Sequence, residues 1–208
     1  MSTNILLVTD GWIHPPVAAR FWLSYILTQP GSGYQFKRVR TLDGILKMDL
    51  SSFQALVLYF HHKRISEAAL KIFEEYVVNG GGVLAIHSAT ASFKKQDHYT
   101  DIIGGKFAGH GPIEKFEINP VIATKKIFAG IPAFSINDEL YIHDLQPDIE
   151  THFTALFNGE QVPMVWTRRH GDGRICYACP GHRSATLRVP AVQGILTKGL
   201  AWVCQREA

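Results

Sequence analysis

The sequence predicts an α/β protein with a mainly parallel central sheet and a strand-rich second half. Three observations predict it. Short apolar runs at Asn4–Thr9, Ala55–Phe60 and Val83–Ile86 each stop at a turn or polar group, the pattern of strands buried on both faces. Helical patterns stand between them at 17–28 and 67–78. Beyond residue 115 the chain shifts to short alternating runs, which read as an antiparallel extension.

Taken in order, Asn4–Thr9 is the first strand and Asp10-Gly11 ends it. Pro15-Pro16 opens a helix, because the first turn has no N–H partners to lose. That helix runs over 17–28 and stops at Gln29-Pro30-Gly31-Ser32-Gly33. Phe36–Arg40 alternates as a second strand, and Leu42–Leu50 connects it to Ala55–Phe60. Ser66 is the expected N-cap of the helix Glu67–Val78, which Asn79-Gly80 closes. Val83–Ile86 is the fourth strand. Lys115–Ile122, Glu139–His143, Phe153–Phe157, Met164–Thr167 and Ile175–Cys179 follow as strands, and residues 190–204 form a last helix. No repeat, low-complexity stretch or linker divides the chain, so residues 1–208 read as one domain.

Composition excludes several classes. Hydrophobic residues make up 46% and charged residues 19%, which is ordinary for a folded chain. A net charge of +3 is too small and dispersed for a nucleic-acid-binding surface. No apolar run reaches the roughly 18 residues of a membrane span, and MSTNILLVTD lacks the plan of a signal peptide. Three cysteines build no disulfide framework, so a reducing, cytoplasmic setting is expected. Cys176 and Cys179 stand three apart in a strand and face opposite sides, and no second such pair completes a zinc site.

The unusual feature of the composition is ten histidines. In open α/β sheets ligands bind beyond the carboxyl ends of the strands. His14, His61-His62, His87-Ser88 and His182 each follow a predicted strand there, and His110 lies in the glycine-rich segment Gly104–Pro112. His87 occupies the strand-to-helix turn, where a side chain is held exposed near helix N–H groups. Imidazole at that place suits proton transfer or metal ligation. On the strand at 139–143, Glu139 and Tyr141 share a face and Asp138 takes the other. Each residue also has a simpler reading. His87 can cap the following helix, His110 and His182 can be turn residues, Glu139 an edge charge, and Tyr141 a half-buried aromatic. His98, His143, His152 and His170 read as surface or strand polar residues.

An ordered set of segments carries a resemblance. It comprises Gly80–Thr90, Ile102–Phe107 with Gly109-His110, Asp138–Tyr141, Pro163–Trp166, Gly171–Arg174 and Gly181-His182. Together they resemble the ThuA-like (trehalose utilisation) family of the class I glutamine amidotransferase-like superfamily. The resemblance implies a flavodoxin-like three-layer α/β/α sandwich, with the amidotransferase nucleophile absent because its place aligns with the segment holding His87. It also implies a link to the catabolism of trehalose and other disaccharides.

The expected function is therefore a sugar-catabolism protein acting on a disaccharide or its keto derivative. His87, His110, Glu139 and His182 would be the catalytic set, and His14, Ser88, Asp138 and Tyr141 the substrate-binding set. The residues by themselves name no cofactor, and Zn or another divalent metal among His14, His87, His110 and His182 is a variant of the same reading. The second reading is a non-catalytic binding or assembly subunit. The expected partner is a small sugar or sugar derivative, with no nucleic acid, no membrane, and a homodimer as the assembly to test. Hydrolase, lyase and isomerase chemistry all stay open.

Overall fold

In the computed structural model, residues 2–10, 17–29, 32–121 and 126–205 are described. The apolar runs become strands β1 (Thr3–Thr9), β3 (Ala55–Tyr59) and β4 (Gly82–Ile86). Every residue of β3 and β4 is buried, as a strand covered on both faces requires. β2 (Tyr34–Val39) alternates instead, because it is the outer strand and keeps Lys37 and Arg38 exposed.

Nine strands form one sheet in the order β2-β1-β3-β4-β9-β8-β7-β5-β6. The remaining strands are β5 (Gly105–Pro120), β6 (Phe134–Leu145), β7 (Glu150–Phe157), β8 (Glu160–His170) and β9 (Gly173–Ala178). The sheet is mixed rather than mainly parallel. The pairings from β2 through β1, β3 and β4 to β9 are parallel, and those from β9 through β8, β7 and β5 to β6 are antiparallel. The physical reason is connection length. Helices link the early strands and force parallel crossovers, whereas short turns such as Gly171-Asp172 allow only reversal. β9 joins the halves, paired parallel to β4 and antiparallel to β8.

Helix α1 is Val17–Leu27, α2 is Glu67–Val78, α3 is Asp97–Ile103 and α4 is Pro190–Val203. Ser66 caps α2 as expected, its hydroxyl accepting from the Ala69 N–H at 3.2 Å. The proline pair expected to open α1 lies outside the described residues. α3 was not expected. It is short and ends at Gly104, whose φ of +91° is the left-handed conformation glycine adopts freely.

The segment expected to be a glycine-rich loop is also different. Residues 105–112 belong to β5, paired with β6 through register shifts between Phe107 and Gly109 and between His110 and Ile113. The glycines mark bulges in a long strand, not a break in it. No helix among the described residues is long and apolar enough to cross a membrane.

Candidate functional site

The site lies where β4 and β9 end side by side, with Ile86 opposite Ala178, and where the β5–β6 ribbon meets them. β4 leaves the sheet at His87 and enters a tight 3-10 turn over His87–Ala89. His87 takes φ +47°, a left-handed conformation that costs a non-glycine residue about 1 kcal/mol or more. Its carbonyl oxygen lies 3.1 Å from the hydroxyls of both Thr90 and Tyr177, which hold the turn in place. Its Nδ1 lies 2.8 Å from the carbonyl oxygen of Cys179. A carbonyl only accepts, so Nδ1 carries the proton and Nε2 is turned towards the site.

Glu139 meets that nitrogen. One carboxylate oxygen, Oε2, lies 3.6 Å from His87 Nε2 and 3.2 Å from His182 Nδ1. Burial alone would raise the Glu139 pKa. The adjacent His87, then the charges of His182, His87 and His110, outweigh it and hold the carboxyl below its usual range. Tyr141 packs its ring on His87 with centroids 4.1 Å apart. Burial, reinforced by the Glu139 charge, pushes its phenol far upward, so Tyr141 stays protonated and serves as a donor.

His182 reaches this point because its loop packs closely on His87. A Cβ on Gly181 would lie 3.1 Å from the His87 Cβ, so only glycine lets the loop approach without displacement. Asp138 fastens the loop. Its Oδ1 accepts from the Glu139 N–H and its Oδ2 from the Gly181 N–H, each at 3.0 Å. Wholly buried, with both oxygens bonded to backbone, Asp138 is a positioning residue rather than a ligand-binding one.

The expected set is thus gathered in part. His87, Glu139, His182 and Tyr141 share one cluster. His110 stands in its outer wall, opposite Tyr141 in the β5–β6 register, with ring centroids 5.9 Å apart and Nδ1 turned to the Gly111 carbonyl at 2.7 Å. Ser88 is buried beside His87, and its Oγ has no hydrogen-bond partner among the described residues. His14 lies outside the described residues. His61 and His62 line a separate basic cleft of about 470 Å³ with Lys63, Arg64, Lys94 and Lys95.

Two of the histidines read as surface or strand polar residues lie on strands, His143 on β6 and His152 on β7. His143 packs between Trp166, Tyr177 and Phe107, with Nε2 3.0 Å from Thr90 Oγ1. It supports the turn that carries His87, a role no motif signals. His152 is buried, with Nε2 2.7 Å from Thr167 Oγ1. His98 and His170 both face Glu74 on α2, away from the cluster.

Burial pushes the thiols of Cys176 and Cys179 up to about 12. Neither is a nucleophile, and the turn that would hold one carries His87 instead.

The trehalose-utilisation family model ThuA matches residues 4–203. The chain belongs to the ThuA family. Among solved structures, a ThuA-like protein of Parabacteroides merdae is 22% identical, with a TM-score of 0.87 over 100% of this chain and 92% of that one. A cytoplasmic protein of Salmonella typhimurium LT2 is 12% identical, with a TM-score of 0.72 over 97% and 99%. The ThuA fold also recurs inside a larger chain. A β-galactosidase of Bacillus circulans matches 98% of this chain over 30% of its own, with 11% identity and a TM-score of 0.66. No curated protein matches this ThuA chain.

Proposed function

We propose that this protein is an enzyme of sugar catabolism that moves a proton beside the carbonyl of a keto-disaccharide, without amidotransferase activity. The observation that carries the reading is the ionised Glu139 carboxylate set against two imidazoles and a protonated phenol. A base, neighbouring donors and partial burial are what proton abstraction next to a ketone needs. Family membership favours trehalose or a related disaccharide as the parent sugar. Cysteines outside any disulfide agree with a cytoplasmic setting, and the α/β layers with a flavodoxin-like sandwich.

The step balances without an added co-reactant. In a 3-keto glucoside the C2 proton passes to the base, and its electron pair moves into the carbonyl to give an enolate. The donors around the site hold the oxyanion. Return of the proton at another position isomerises the sugar. Expulsion of the glycosidic oxygen from C1 eliminates the second sugar, which takes the proton.

Incubation of the protein with 3-ketotrehalose in D2O, followed by proton NMR, tests this reading. Consumption of the sugar, or deuterium entry at C2, is expected of the wild type and not of His87→Asn. Asparagine tolerates the left-handed backbone and keeps a donor for Cys179. Absence of both signals in wild type, or their persistence in the variant, overturns it.

A second reading, a binding or assembly subunit, draws on one observation. The same fold serves as under a third of a β-galactosidase chain, and a fold by itself specifies no chemistry. Tight binding of the keto sugar without turnover or exchange is its signature.

A further inference from the structure

We propose that His87 Nε2, His182 Nδ1 and Glu139 Oε2 form a site for one divalent transition-metal ion of the zinc or cobalt type. The three donor atoms lie within 4.8 Å of one another and come from three separate parts of the chain. They sit at the end of β4, within β6 and in the loop after β9. No local segment brings them together, so the convergence belongs to the fold.

The spacing fits. Ligands at about 2.0–2.1 Å from a tetrahedral ion stand roughly 3.3–3.4 Å apart. The Glu139 oxygen is 3.2 Å from one imidazole nitrogen and 3.6 Å from the other. The two imidazole nitrogens lie within 4.8 Å of each other, so an ion between them draws the rings together on the shared carboxylate oxygen.

The state of His87 is the second, independent observation. Its side chain is 1% exposed, and Nε2 is buried with no hydrogen-bond partner among the described residues. With the proton on Nδ1, the Nε2 lone pair faces the Glu139 carboxylate at 3.6 Å, and two buried acceptors so placed are costly unless a cation binds between them. Its Nδ1 meanwhile donates to the Cys179 carbonyl. A metal-bound imidazole is oriented in this way, one nitrogen on the ion and the other on a carbonyl. Asp138 completes the outer support by fixing the backbone of both Glu139 and Gly181.

Two nitrogens and one oxygen select zinc, cobalt, manganese or iron(II) over calcium and magnesium, which prefer all-oxygen sets. Three protein ligands leave at least one position open, the arrangement of a catalytic rather than a structural ion. What that position takes rests on the proposed function: the carbonyl oxygen of the keto sugar, or a water molecule.

The test uses the full chain, purified without a histidine tag and stripped with chelator. Titration with Zn²⁺, and separately with Co²⁺, is followed by calorimetry, elemental analysis and the visible absorption of bound cobalt. One equivalent of tightly held ion is expected, with the absorption of a four- or five-coordinate cobalt centre. Glu139→Gln and His182→Asn should each weaken uptake at least about 10–100-fold, since loss of even an outer-shell partner has that effect. His98→Gln, which alters an exposed histidine paired with Glu74, should leave uptake unchanged. Far-UV circular dichroism establishes that each variant is folded. Sub-stoichiometric uptake by wild type, or uptake insensitive to both ligand variants, overturns the site. The two proposals fail separately. Stoichiometric metal without sugar turnover or exchange keeps the ion and discards the substrate, whereas turnover by metal-free protein that takes up no ion does the reverse.

Discussion

The Nδ1 atom of His87 lies 2.8 Å from the carbonyl oxygen of Cys179, across the ends of two adjacent parallel strands. This bond joins the turn after β4 to the residue from which the loop carrying His182 departs. Removing it by His87→Ala leaves a buried carbonyl without its partner and should cost about 1–3 kcal/mol of unfolding free energy. His87→Asn keeps a donor at that place and should cost less than about 1 kcal/mol. Urea titrations of both variants measure the difference. Equal losses would mean that the bond contributes nothing specific.

Asp138 should act through geometry. Asp138→Asn turns one acceptor into a donor facing either the Glu139 or the Gly181 N–H. A loss of about 1–3 kcal/mol is expected, which corresponds to roughly 2–12 °C in Tm for a chain of this size. Sugar affinity or metal uptake should fall with it, because Gly181 precedes His182. Full stability in the variant would show that the two backbone bonds are dispensable.

The cysteines should be chemically quiet. Cys176 and Cys179 are wholly buried with thiols pushed up to about 12, whereas Cys204 is partly exposed. Iodoacetamide at neutral pH should modify Cys204 alone in the native protein and all three thiols after denaturation. Native labelling of Cys179 would contradict the packing that supports His87.

His143 makes stability depend on acid. Burial, then the nearby His87 charge, lowers its pKa from 6.5 to about 3. Below pH 6.5 the unfolded chain takes up a proton that the native chain refuses, so unfolding is favoured increasingly as pH falls towards 3. Above pH 6.5 the effect vanishes. The loss approaches about 1.4 kcal/mol per pH unit inside that window. His143→Gln removes the titration while keeping a donor for Thr90. Its stability should therefore decline less between pH 6.5 and 4 than that of wild type. Identical slopes would exclude His143 as the source.

Much of the fold was legible in residues 4–9, 55–60 and 83–86, because a strand buried on both faces must be continuously apolar. The helix at 67–78 was legible from its cap and its period. The antiparallel strands read shorter in the sequence than they are, since the bulged and half-exposed residues 105–112 look like a loop when their partner strand is unknown. Of the residues singled out in the sequence, His87 and His182 at strand ends meet Glu139 and Tyr141 of β6, whereas His61 and His62 line another cleft.

Residue type and order therefore determined the α/β class, the absence of a cysteine nucleophile at the turn, and the list from which the site is drawn. The tertiary structure alone decided which members meet. It gathered His87, His182 and Glu139 within reach of one point, moved His110 to the wall, turned Asp138 inward to hold backbone, and brought in His143, which no motif marks. The reason is that periodicity records whether a side chain faces the core or solvent. The distance between two strand ends depends on the pairing order of the whole sheet.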